Sequence, residues 1–289
     1  MKHHLTLGIF GFGYSAASFA KLLNNQAYHI LATSRQPEAG IKLASNIELL
    51  QYNHDTAKKI LDVCDAVLVT IPPDKEGNDP VLKAFESLFK KAGSNLRWLA
   101  YLSSTGVYGD HQGQWVDETS VFLNPGEAGK KRIHAEQAWL SLYQNHHLPV
   151  HLFRLAGIYG PGRSSIDKIK SGKQFSYYKK GLVFSRIHVE DIASALQLSL
   201  NHPTPGEIYN VCDDYPAATH EVDAFAAQLL GQAPPKLIPY EQGNLSPMGL
   251  EFFSASKRVS NQKIKQNLGF QLHYPSYREG LTAIFKTFG

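Results

Sequence analysis

The chain has 289 residues, of which 43% are hydrophobic and 19% are charged, so it can bury a sizeable core as one large domain or two modest ones. No apolar run approaches the roughly 20 residues that span a bilayer, which argues against a membrane protein. The formal charge of +4 is spread along the sequence, so no basic block indicates nucleic-acid binding. The N-terminal stretch enters a strand pattern without a signal-like segment, and we expect a cytoplasmic protein.

Short apolar runs alternate with segments of helical period through the first two hundred residues. The predicted strands are residues 5–10, 29–34, 47–50, 66–71, 97–102, 150–155 and 207–211. Helices are predicted between most of them, for example at 15–23, 81–92 and 130–143. This alternation is typical of βαβ units, so the predicted fold is α/β with a doubly wound parallel sheet.

A glycine-rich turn follows the first predicted strand. Residues 11–16, GFGYSA, have the pattern GxGxxA between a strand and a helix. The first glycine makes the tight turn, the second lets a pyrophosphate approach the backbone, and the small third residue keeps the helix close to the strand. The helix N-terminus then faces the anion. The predicted pyrophosphate contacts of a dinucleotide are Gly11, Phe12, Gly13, Tyr14 and Ser15.

The end of the second predicted strand indicates which dinucleotide binds. An NAD site places Asp or Glu there for the ribose hydroxyls, whereas this chain reads Thr33-Ser34-Arg35. A hydroxyl and a guanidinium suit a ribose 2′-phosphate, so Ser34 and Arg35 favour NADP(H) over NAD(H). The alternative is that Arg35 is an ordinary solvated residue. At the end of the fourth predicted strand, Thr70 and Ile71 precede two prolines, and a dinucleotide is expected to lie there unless the prolines only terminate the strand.

The second half of the chain has a less regular pattern of apolar and polar residues. After Gly160 the pattern loosens, and basic, small and aromatic residues mix. No repeat, low-complexity tract or flexible linker separates the two parts. We therefore predict a Rossmann dinucleotide-binding domain over 1–163, completed by about 184–213, and a smaller, interleaved C-terminal substrate lobe formed by 164–183 and 214–289.

Five sequence blocks carry a family pattern in a fixed order. They are YLSSTGVYGD (101–110), NPGEAGKKRIHAEQAW (124–139), FRLAGIYGPGR (153–163), FSRIHVEDIA (184–193) and GEIYNVCDD (206–214). Together they resemble the extended short-chain dehydrogenase/reductase family, the NAD(P)-dependent nucleotide-sugar epimerases and dehydratases. The resemblance covers nearly the whole chain. It implies a Rossmann domain with a C-terminal substrate lobe, a nicotinamide dinucleotide, a small-molecule substrate such as a sugar nucleotide and, often, a homodimer formed through two helices of each subunit.

That family's chemistry depends on Ser or Thr together with Tyr-x-x-x-Lys on one helix. The lysine and the oxidised nicotinamide lower the phenol pKa from its ordinary value of about 10, so that the phenol exchanges protons near neutral pH. Here the resemblance places Ser104 at the serine, Ala128 at the tyrosine and Arg132 at the lysine. None of the fourteen tyrosines has a lysine four residues later. Arg132 can hold ribose hydroxyls as a fixed cation, but its pKa is too high for proton transfer.

Three interpretations of this altered helix remain open. In the first, hydride transfer persists with Ser104 and Arg132 as the catalytic pair, and the proton comes from Tyr108, His134, Tyr159 or the substrate. In the second, the protein binds NADP(H) without turnover, as a redox sensor or interaction protein. In the third, the helix only packs. We prefer the first, an NADP(H)-binding oxidoreductase or epimerase/dehydratase-like enzyme acting on a sugar nucleotide or a related anionic, hydroxylated metabolite.

Further ligand contacts are predicted in the later blocks. The loop after the sixth strand leaves the carboxyl edge of the sheet, so Leu155, Ala156 and Gly157 are expected to approach the nicotinamide, unless the apolar pair only packs in the core. Arginine binds phosphate in a bidentate manner, which favours a role for two arginines in holding an anionic substrate. The predicted substrate contacts are Tyr108, Arg163 and Arg186.

Metal binding is not predicted. The two cysteines, Cys64 and Cys212, are too few for a disulfide framework and are not spaced as metal ligands. Paired histidines occur at 3–4 and 146–147, but no HExxH motif or matching carboxylate spacing accompanies them.

Overall fold

The structure is a computed structural model, and it describes residues 5–23, 28–37, 43–92, 95–243, 245, 250 and 253–288. The strands are β1 (Leu5–Phe10), β2 (Tyr28–Ser34), β3 (Ile47–Gln51), β4 (Ala66–Val69), β5 (Trp98–Ser104), β6 (Trp115–Val116), β7 (Val150–Leu155), β8 (Gly157–Tyr159), β9 (Phe175–Tyr178), β10 (Arg186–His188), β11 (Ile208–Val211), β12 (Lys236–Pro239) and β13 (Arg258–Val259).

The helices are α1 (Tyr14–Leu23), α2 (His54–Val63), α3 (Pro80–Ala92), α4 (Glu127–His146), α5 (Ser165–Lys170), α6 (Val189–Asn201), α7 (Thr219–Leu229), α8 (Gln262–Leu268) and α9 (Tyr277–Lys286). Short 3-10 turns lie at Thr105–Tyr108 and Tyr240–Gln242. Among the described residues, no helix is both long enough and apolar enough to cross a membrane.

Seven strands form the central sheet, in the order β11-β7-β5-β4-β1-β2-β3. β1 pairs in parallel with β2 and with β4, and the pairs β2·β3 and β4·β5 are also parallel. Parallel neighbours require a crossover, which α1 supplies between β1 and β2 and α3 between β4 and β5. The order is that of a Rossmann sheet, so the predicted doubly wound α/β fold is confirmed.

The strands of this sheet correspond to the seven predicted strands. β4 ends at Val69 rather than at Ile71, because the prolines at 72 and 73 have no N–H with which to continue a ladder. β5 runs two residues beyond its predicted end, to Ser104. Six further strands of two to four residues were not predicted, because runs so short show no alternation.

Helix α4 carries the positions on which the chemistry was expected to depend. It begins at Glu127, three residues before the predicted start, directly after Pro125 and Gly126. Its inner face is largely apolar, with Ala135 and Trp139 fully buried, but it also contains the buried Glu136. Burial of this face, rather than helix propensity alone, holds a helix of this length in place.

The chain folds into two compact units, each built from several separate segments. Unit 1 comprises Met1–Ser104, Lys130–Arg154 and Ile192–Tyr209, and unit 2 comprises Thr105–Gly129, Leu155–Asp191 and Asn210–Gly289. The core of unit 1 includes the buried side chains Phe10, Val69, Phe89, Tyr101, Trp139 and Leu152. The core of unit 2 includes Tyr159, Ile166, Ala226, Tyr277 and Leu281. The predicted assignment of a cofactor domain and a substrate lobe stays a prediction.

Candidate functional site

The turn after β1 accepts only glycine at its first position. Gly11 has a φ of +94°, in the left-handed region. A Cβ built there would lie 2.7 Å from Ile71 Cγ1 and 2.9 Å from Thr70 Oγ1. The Thr70 hydroxyl also donates a hydrogen bond to the Gly11 carbonyl oxygen at 2.5 Å. The turn is therefore fixed against the end of β4, where the strand order reverses and α/β sheets bind their ligands.

The second glycine of the turn faces open space. Apart from its own chain neighbours, no described residue has an atom within 4 Å of a Cβ built at Gly13. Helix α1 begins at the next residue, Tyr14, and Ala16 is fully buried, which brings the helix close to the sheet. The amides of the first helical turn, which include that of Ser15, have no acceptor within the helix. An open glycine beside such amides fits the pyrophosphate of a dinucleotide.

The end of β2 contributes to the same turn. The Thr33 hydroxyl oxygen accepts a hydrogen bond from the Gly11 amide at 3.0 Å, and Ser34 Oγ accepts one from the Gln36 amide at 3.1 Å. Arg35 is exposed, and its guanidinium makes no hydrogen bond or ion pair with a described residue. The side chain that was expected to recognise a 2′-phosphate can therefore be reached by a ligand.

Arg132 is tied to the carboxyl end of β5, which terminates in the half-buried Ser104. Its Nη1 donates to the Leu102 carbonyl oxygen at 2.7 Å and to the Tyr101 hydroxyl at 3.2 Å. Burial raises the pKa of Tyr101 well above its ordinary value, more than the nearby guanidinium lowers it. Tyr101 therefore stays protonated, and Arg132 provides a positive charge near the predicted catalytic serine.

A buried polar network lies one helical turn beyond Arg132, and the sequence did not predict it. Ser103 Oγ donates to Glu136 Oε1 at 2.6 Å. Arg154 donates to both Glu136 oxygens, at 3.1 Å from Nε to Oε1 and at 2.8 Å from Nη2 to Oε2. Glu136 is 2% exposed and Arg154 is 3% exposed. The network joins α4 to the ends of β5 and β7.

Two features of the sequence are nevertheless compatible with such a network. Arg154 interrupts the otherwise apolar strand VHLFRL, and a charge inside a buried strand requires a partner. Glu136 follows Arg132 by four residues, so the two share one face of α4. Neither feature identifies the partner, because the residues that meet come from three separate elements.

The remaining predicted positions on α4 face elsewhere. Ala128 is exposed and offers no polar group. His134 is also exposed, and it lies two residues from Arg132, a spacing that turns the two side chains to different faces of a helix. As a proton donor to the end of β5, His134 is poorly placed.

In unit 2, the last residue of β7 and the residue after it are buried. Leu155 and Ala156 are each 5% exposed, whereas Gly157 is exposed. The Ala156 amide donates to the Val211 carbonyl oxygen at 3.1 Å, and the Gly157 amide donates to that of Ser185 at 3.1 Å. Their approach to a nicotinamide stays a prediction.

Both tyrosines considered as proton donors have engaged hydroxyls. Tyr108 is fully buried, and its hydroxyl donates to Asn210 Oδ1 at 2.7 Å. Tyr159 is 7% exposed, and its hydroxyl donates to the Ser276 carbonyl oxygen at 3.3 Å. Burial raises the pKa of Tyr159 far above its ordinary value. The Tyr159 phenol is therefore not set to ionise near neutral pH. A substrate contact by Tyr108 stays a prediction.

The two predicted substrate arginines differ in their surroundings. Arg163 is exposed, in a tight turn where its amide donates to the Gly160 carbonyl oxygen at 3.0 Å. Arg186 is half-buried, and its Nη1 donates to the carbonyl oxygens of Phe184 at 2.8 Å and Ala217 at 2.7 Å. The other guanidinium nitrogens of Arg186 keep donors for a ligand.

Two lysines add positive charge near these arginines. Partial desolvation, followed by the charges of Lys173, Arg186 and Arg163, lowers the pKa of Lys168. Lys173 is paired with the buried Asp223, at 2.5 Å between Nζ and Oδ2. The charges that act on Lys168 are thus those of three cations and one carboxylate, Asp223, a balance that suits an anionic ligand.

Comparison with known proteins places the chain among relatives of the expected kind. The model of the NAD dependent epimerase/dehydratase family matches residues 11–212. Protein YeeZ of Escherichia coli (strain K12) is 27% identical over 285 residues, which cover 93% of this chain and 96% of that protein. A functionally unknown conserved protein from Silicibacter pomeroyi DSS is 42% identical, with a TM-score of 0.88 and 98% of each chain covered.

More distant structures share the fold. The dTDP-glucose 4,6-dehydratase of Bacillus anthracis str. Ames, solved in complex with NAD, has a TM-score of 0.78 at 17% identity, over 98% of this chain and 96% of that one. At this identity the likeness shows the fold alone. The family model, by contrast, matches more than half of the chain and includes the glycine turn, Ser104 and α4. The predicted resemblance is confirmed, and the chain belongs to the NAD-dependent epimerase/dehydratase family.

Proposed function

We propose that this protein is an NADP(H)-dependent oxidoreductase or epimerase/dehydratase-like enzyme that acts on a sugar nucleotide or a related anionic, hydroxylated metabolite. The observation that carries the proposal is the turn at the reversal point of the sheet. Gly11 is locked in the left-handed region against Thr70, and Gly13 leaves the space beside the amide end of α1 open. A packing role alone accounts for Gly11 but gives no reason for an open Gly13.

The residues around this turn fit a phosphorylated dinucleotide. The amides at the start of α1 would bind the pyrophosphate, as helix N-termini bind anions. Arg35 is exposed and bonded to none of the described side chains, and its guanidinium would bind the ribose 2′-phosphate. Thr70 and Ile71 support the turn from β4. When bound, the nicotinamide would supply the site of hydride exchange.

Ser104 and Arg132 are the proposed catalytic residues. Ser104 ends β5, from where its hydroxyl would hydrogen-bond the reacting oxygen of the substrate. Arg132 would hold ribose hydroxyls and contribute positive charge, in the orientation set by its bonds to Leu102 and Tyr101. A group this basic does not release a proton near neutral pH, so its contribution is electrostatic.

The proton is proposed to come from the substrate itself or from solvent. The phenols of Tyr108 and Tyr159 are buried and already donate hydrogen bonds, and His134 lies on another face of α4 from Arg132. Ala128 has no proton to give. A hydroxyl or phosphate of the substrate is left as the acid or base, and the neighbouring cations Arg163, Lys168 and Arg186 in unit 2 are consistent with an anionic substrate.

A second candidate function is a dinucleotide-binding sensor without turnover. The observation that favours it is the composition of α4, which carries neither a phenol at 128 nor an ammonium at 132. Such a protein would keep the glycine turn and Arg35, and would report the NADPH/NADP ratio to a partner.

One experiment separates the two candidates. Purified protein is titrated with NADPH and NADH, and the loaded protein is then assayed with sugar nucleotides, aldehydes and ketones. We expect turnover, and Ser104→Ala should lower kcat by about a hundredfold or more. Ser141→Ala, an exposed serine on α4, is the control and should leave kcat unchanged. Tight NADPH binding without turnover would favour the sensor, and failure to bind either dinucleotide would overturn both candidates.

A further inference from the structure

A polar cavity of about 190 Å³ lies within unit 2. The polar and aromatic residues considered as ligand contacts in its wall are Trp115, Asp213, Asp214, Asn261, Gln262 and Lys265. Strands β6 and β13 support it, since they pair in parallel with Trp115 opposite Arg258 and Val116 opposite Val259. The cavity thus joins three distant parts of the sequence, which explains why no single motif indicated it.

The cavity contains one balanced ion pair. Lys265 Nζ lies 2.5 Å from Asp214 Oδ1, which also accepts a hydrogen bond from Asn261 Nδ2 at 2.8 Å. Asn261 is 4% exposed, and the same nitrogen donates to the Cys212 carbonyl oxygen at 2.8 Å. The second oxygen of Asp214 and the other N–H groups of Lys265 are left to accept and donate hydrogen bonds.

Asp213 brings a buried carboxyl oxygen, Oδ2, that has no hydrogen-bond partner among the described residues. Asp213 is 1% exposed. Its Oδ1 accepts from the Tyr215 amide at 3.2 Å. Burial raises the pKa of Asp213 to about 8, so the carboxyl carries a proton at neutral pH. An unsatisfied buried O–H is destabilising, and a ligand with an acceptor atom would relieve it.

Trp115 gives the cavity an exposed aromatic surface. It is 59% exposed, whereas Trp98 and Trp139, the other tryptophans of the chain, are fully buried. An indole is flat and amphipathic, and it stacks against apolar C–H faces while neighbouring groups make hydrogen bonds. An exposed indole beside a polar cavity is therefore a stacking surface.

Three ligand classes fit this cavity poorly. A metal ion would be repelled by Lys265, and no group of three His, Cys, Asp or Glu side chains that could hold a metal occurs in the described part of the chain. A phosphate would be repelled by Asp214. A nucleotide is too large, since pockets for drug-sized ligands hold roughly 300 to 1,000 Å³. Of the ligand classes considered, an uncharged molecule with several hydroxyl groups fits this cavity best.

We propose that this cavity binds an uncharged monosaccharide ring, with a C–H face stacked on Trp115 and its hydroxyls bonded to Asp213, Asp214, Lys265 and Gln262. Sugar hydroxyls both donate and accept, which matches the mixed donors and acceptors of the wall. The proposal goes beyond the proposed reaction and does not require a dinucleotide, so its test is run on the full chain without cofactor.

The test measures protection of Trp115 from quenching by acrylamide. Because Trp98 and Trp139 are fully buried, the quencher reaches Trp115 first. The probes are D-glucose, D-galactose and N-acetyl-D-glucosamine, compared with choline and inorganic phosphate. We expect at least one sugar to lower the quenching constant roughly twofold, as one ring face is covered. A dissociation constant of about 1 to 10 mM is expected, as for a few net hydrogen bonds and one stacking contact.

Substitutions test whether the sugar binds in this cavity. Asp214→Ala should weaken the sugar about tenfold, the usual loss for a hydrogen bond to a charged group. Asp62→Ala is the matched control, because Asp62 also pairs with a lysine at 2.5 Å and is similarly exposed, but lies in unit 1. By saturation-transfer NMR, Trp115→Ala should abolish the sugar signal and Trp115→Phe should retain part of it.

Several outcomes would overturn the proposal. They are protection by choline or phosphate instead of the sugars, no protection by any of the three sugars, and protection that Asp214→Ala leaves intact. None of them bears on NADPH binding, so the proposed function is judged separately.

Discussion

Arg132 and Leu102 are joined by a hydrogen bond of 2.7 Å from the guanidinium to the backbone carbonyl oxygen. One turn later on α4, Glu136 accepts the hydroxyl of Ser103 at 2.6 Å. Two successive turns of the helix therefore hold two successive residues of β5, directly before Ser104. Because interactions in a buried polar network reinforce one another, this arrangement fixes the strand end that carries the proposed catalytic serine.

The first prediction concerns the buried pair in that network. Arg154→Met leaves the Glu136 carboxylate buried and without its cation, and should lower the free energy of unfolding by about 3 to 5 kcal/mol. The double variant Glu136→Met/Arg154→Met removes both charges and should recover most of that loss. Urea denaturation measures all three proteins. Asp62→Ala, which breaks an exposed ion pair with Lys58, should change stability little. A single variant as stable as the double would show that the pair is not effectively buried.

A second prediction separates the two glycines of the turn. Gly11→Ala should lower the melting temperature, because it combines a φ of +94° with a Cβ 2.7 Å from Ile71. Gly13→Ala should fold normally, because its Cβ meets no described atom within 4 Å apart from those of its own chain neighbours. It should nevertheless weaken dinucleotide binding roughly tenfold or more, since the methyl group occupies the approach of the pyrophosphate. Calorimetric titration and thermal unfolding test both. If Gly13→Ala bound the dinucleotide with wild-type affinity, the pyrophosphate would not bind at this turn.

A third prediction tests cofactor choice. Arg35→Ala should weaken NADPH about ten- to hundredfold, the range for hydrogen bonds to a charged group, and leave NADH nearly unchanged. Arg97→Ala is the matched control, because Arg97 is also exposed in unit 1 but precedes β5, at the opposite edge of the parallel sheet. Titrations of the wild type and the two variants with both dinucleotides give the six affinities. Equal losses for NADPH and NADH would remove the reason to prefer NADP(H).

A fourth prediction uses the protonated carboxyl of Asp213. Its pKa is raised from 3.8 to about 8, chiefly by burial, so between these values the folded protein binds more protons than the unfolded chain. The stability linked to this group is fully present below about pH 4 and is lost as pH rises towards 8. Asp213→Asn stays neutral, so from about pH 5 to pH 8 it should lose up to about 4 kcal/mol less stability than the wild type.

Urea denaturation across this pH range measures the difference, in which the contributions of groups that do not interact with Asp213 cancel. Asp117→Asn is the control: hydrogen bonds from Thr119 lower rather than raise the pKa of Asp117, so its removal should not flatten the profile. Parallel profiles for the wild type and Asp213→Asn would mean that Asp213 is ionised in the folded protein.

The sequence by itself determined the strands of the central sheet and the glycine-rich turn of the proposed cofactor site. Each strand of the central sheet is a local apolar run, and the GxGxxA turn is contiguous, so period and spacing suffice to predict them. The exchange of the tyrosine and the lysine for Ala128 and Arg132 is also a property of the sequence, read through the family resemblance. These features depend on neighbours a few residues apart.

The tertiary structure decided which side chains meet. Ser103, Glu136 and Arg154 come from two strands and a helix, and Trp115, Asp213 and Lys265 are separated by tens of residues. No local pattern predicts that Tyr108 is fully buried or that Arg35 is exposed, because burial and pairing result from the packing of distant elements. Long-range contacts fix the charges and hydrogen bonds of a site, whereas local periodicity fixes only the elements that carry it.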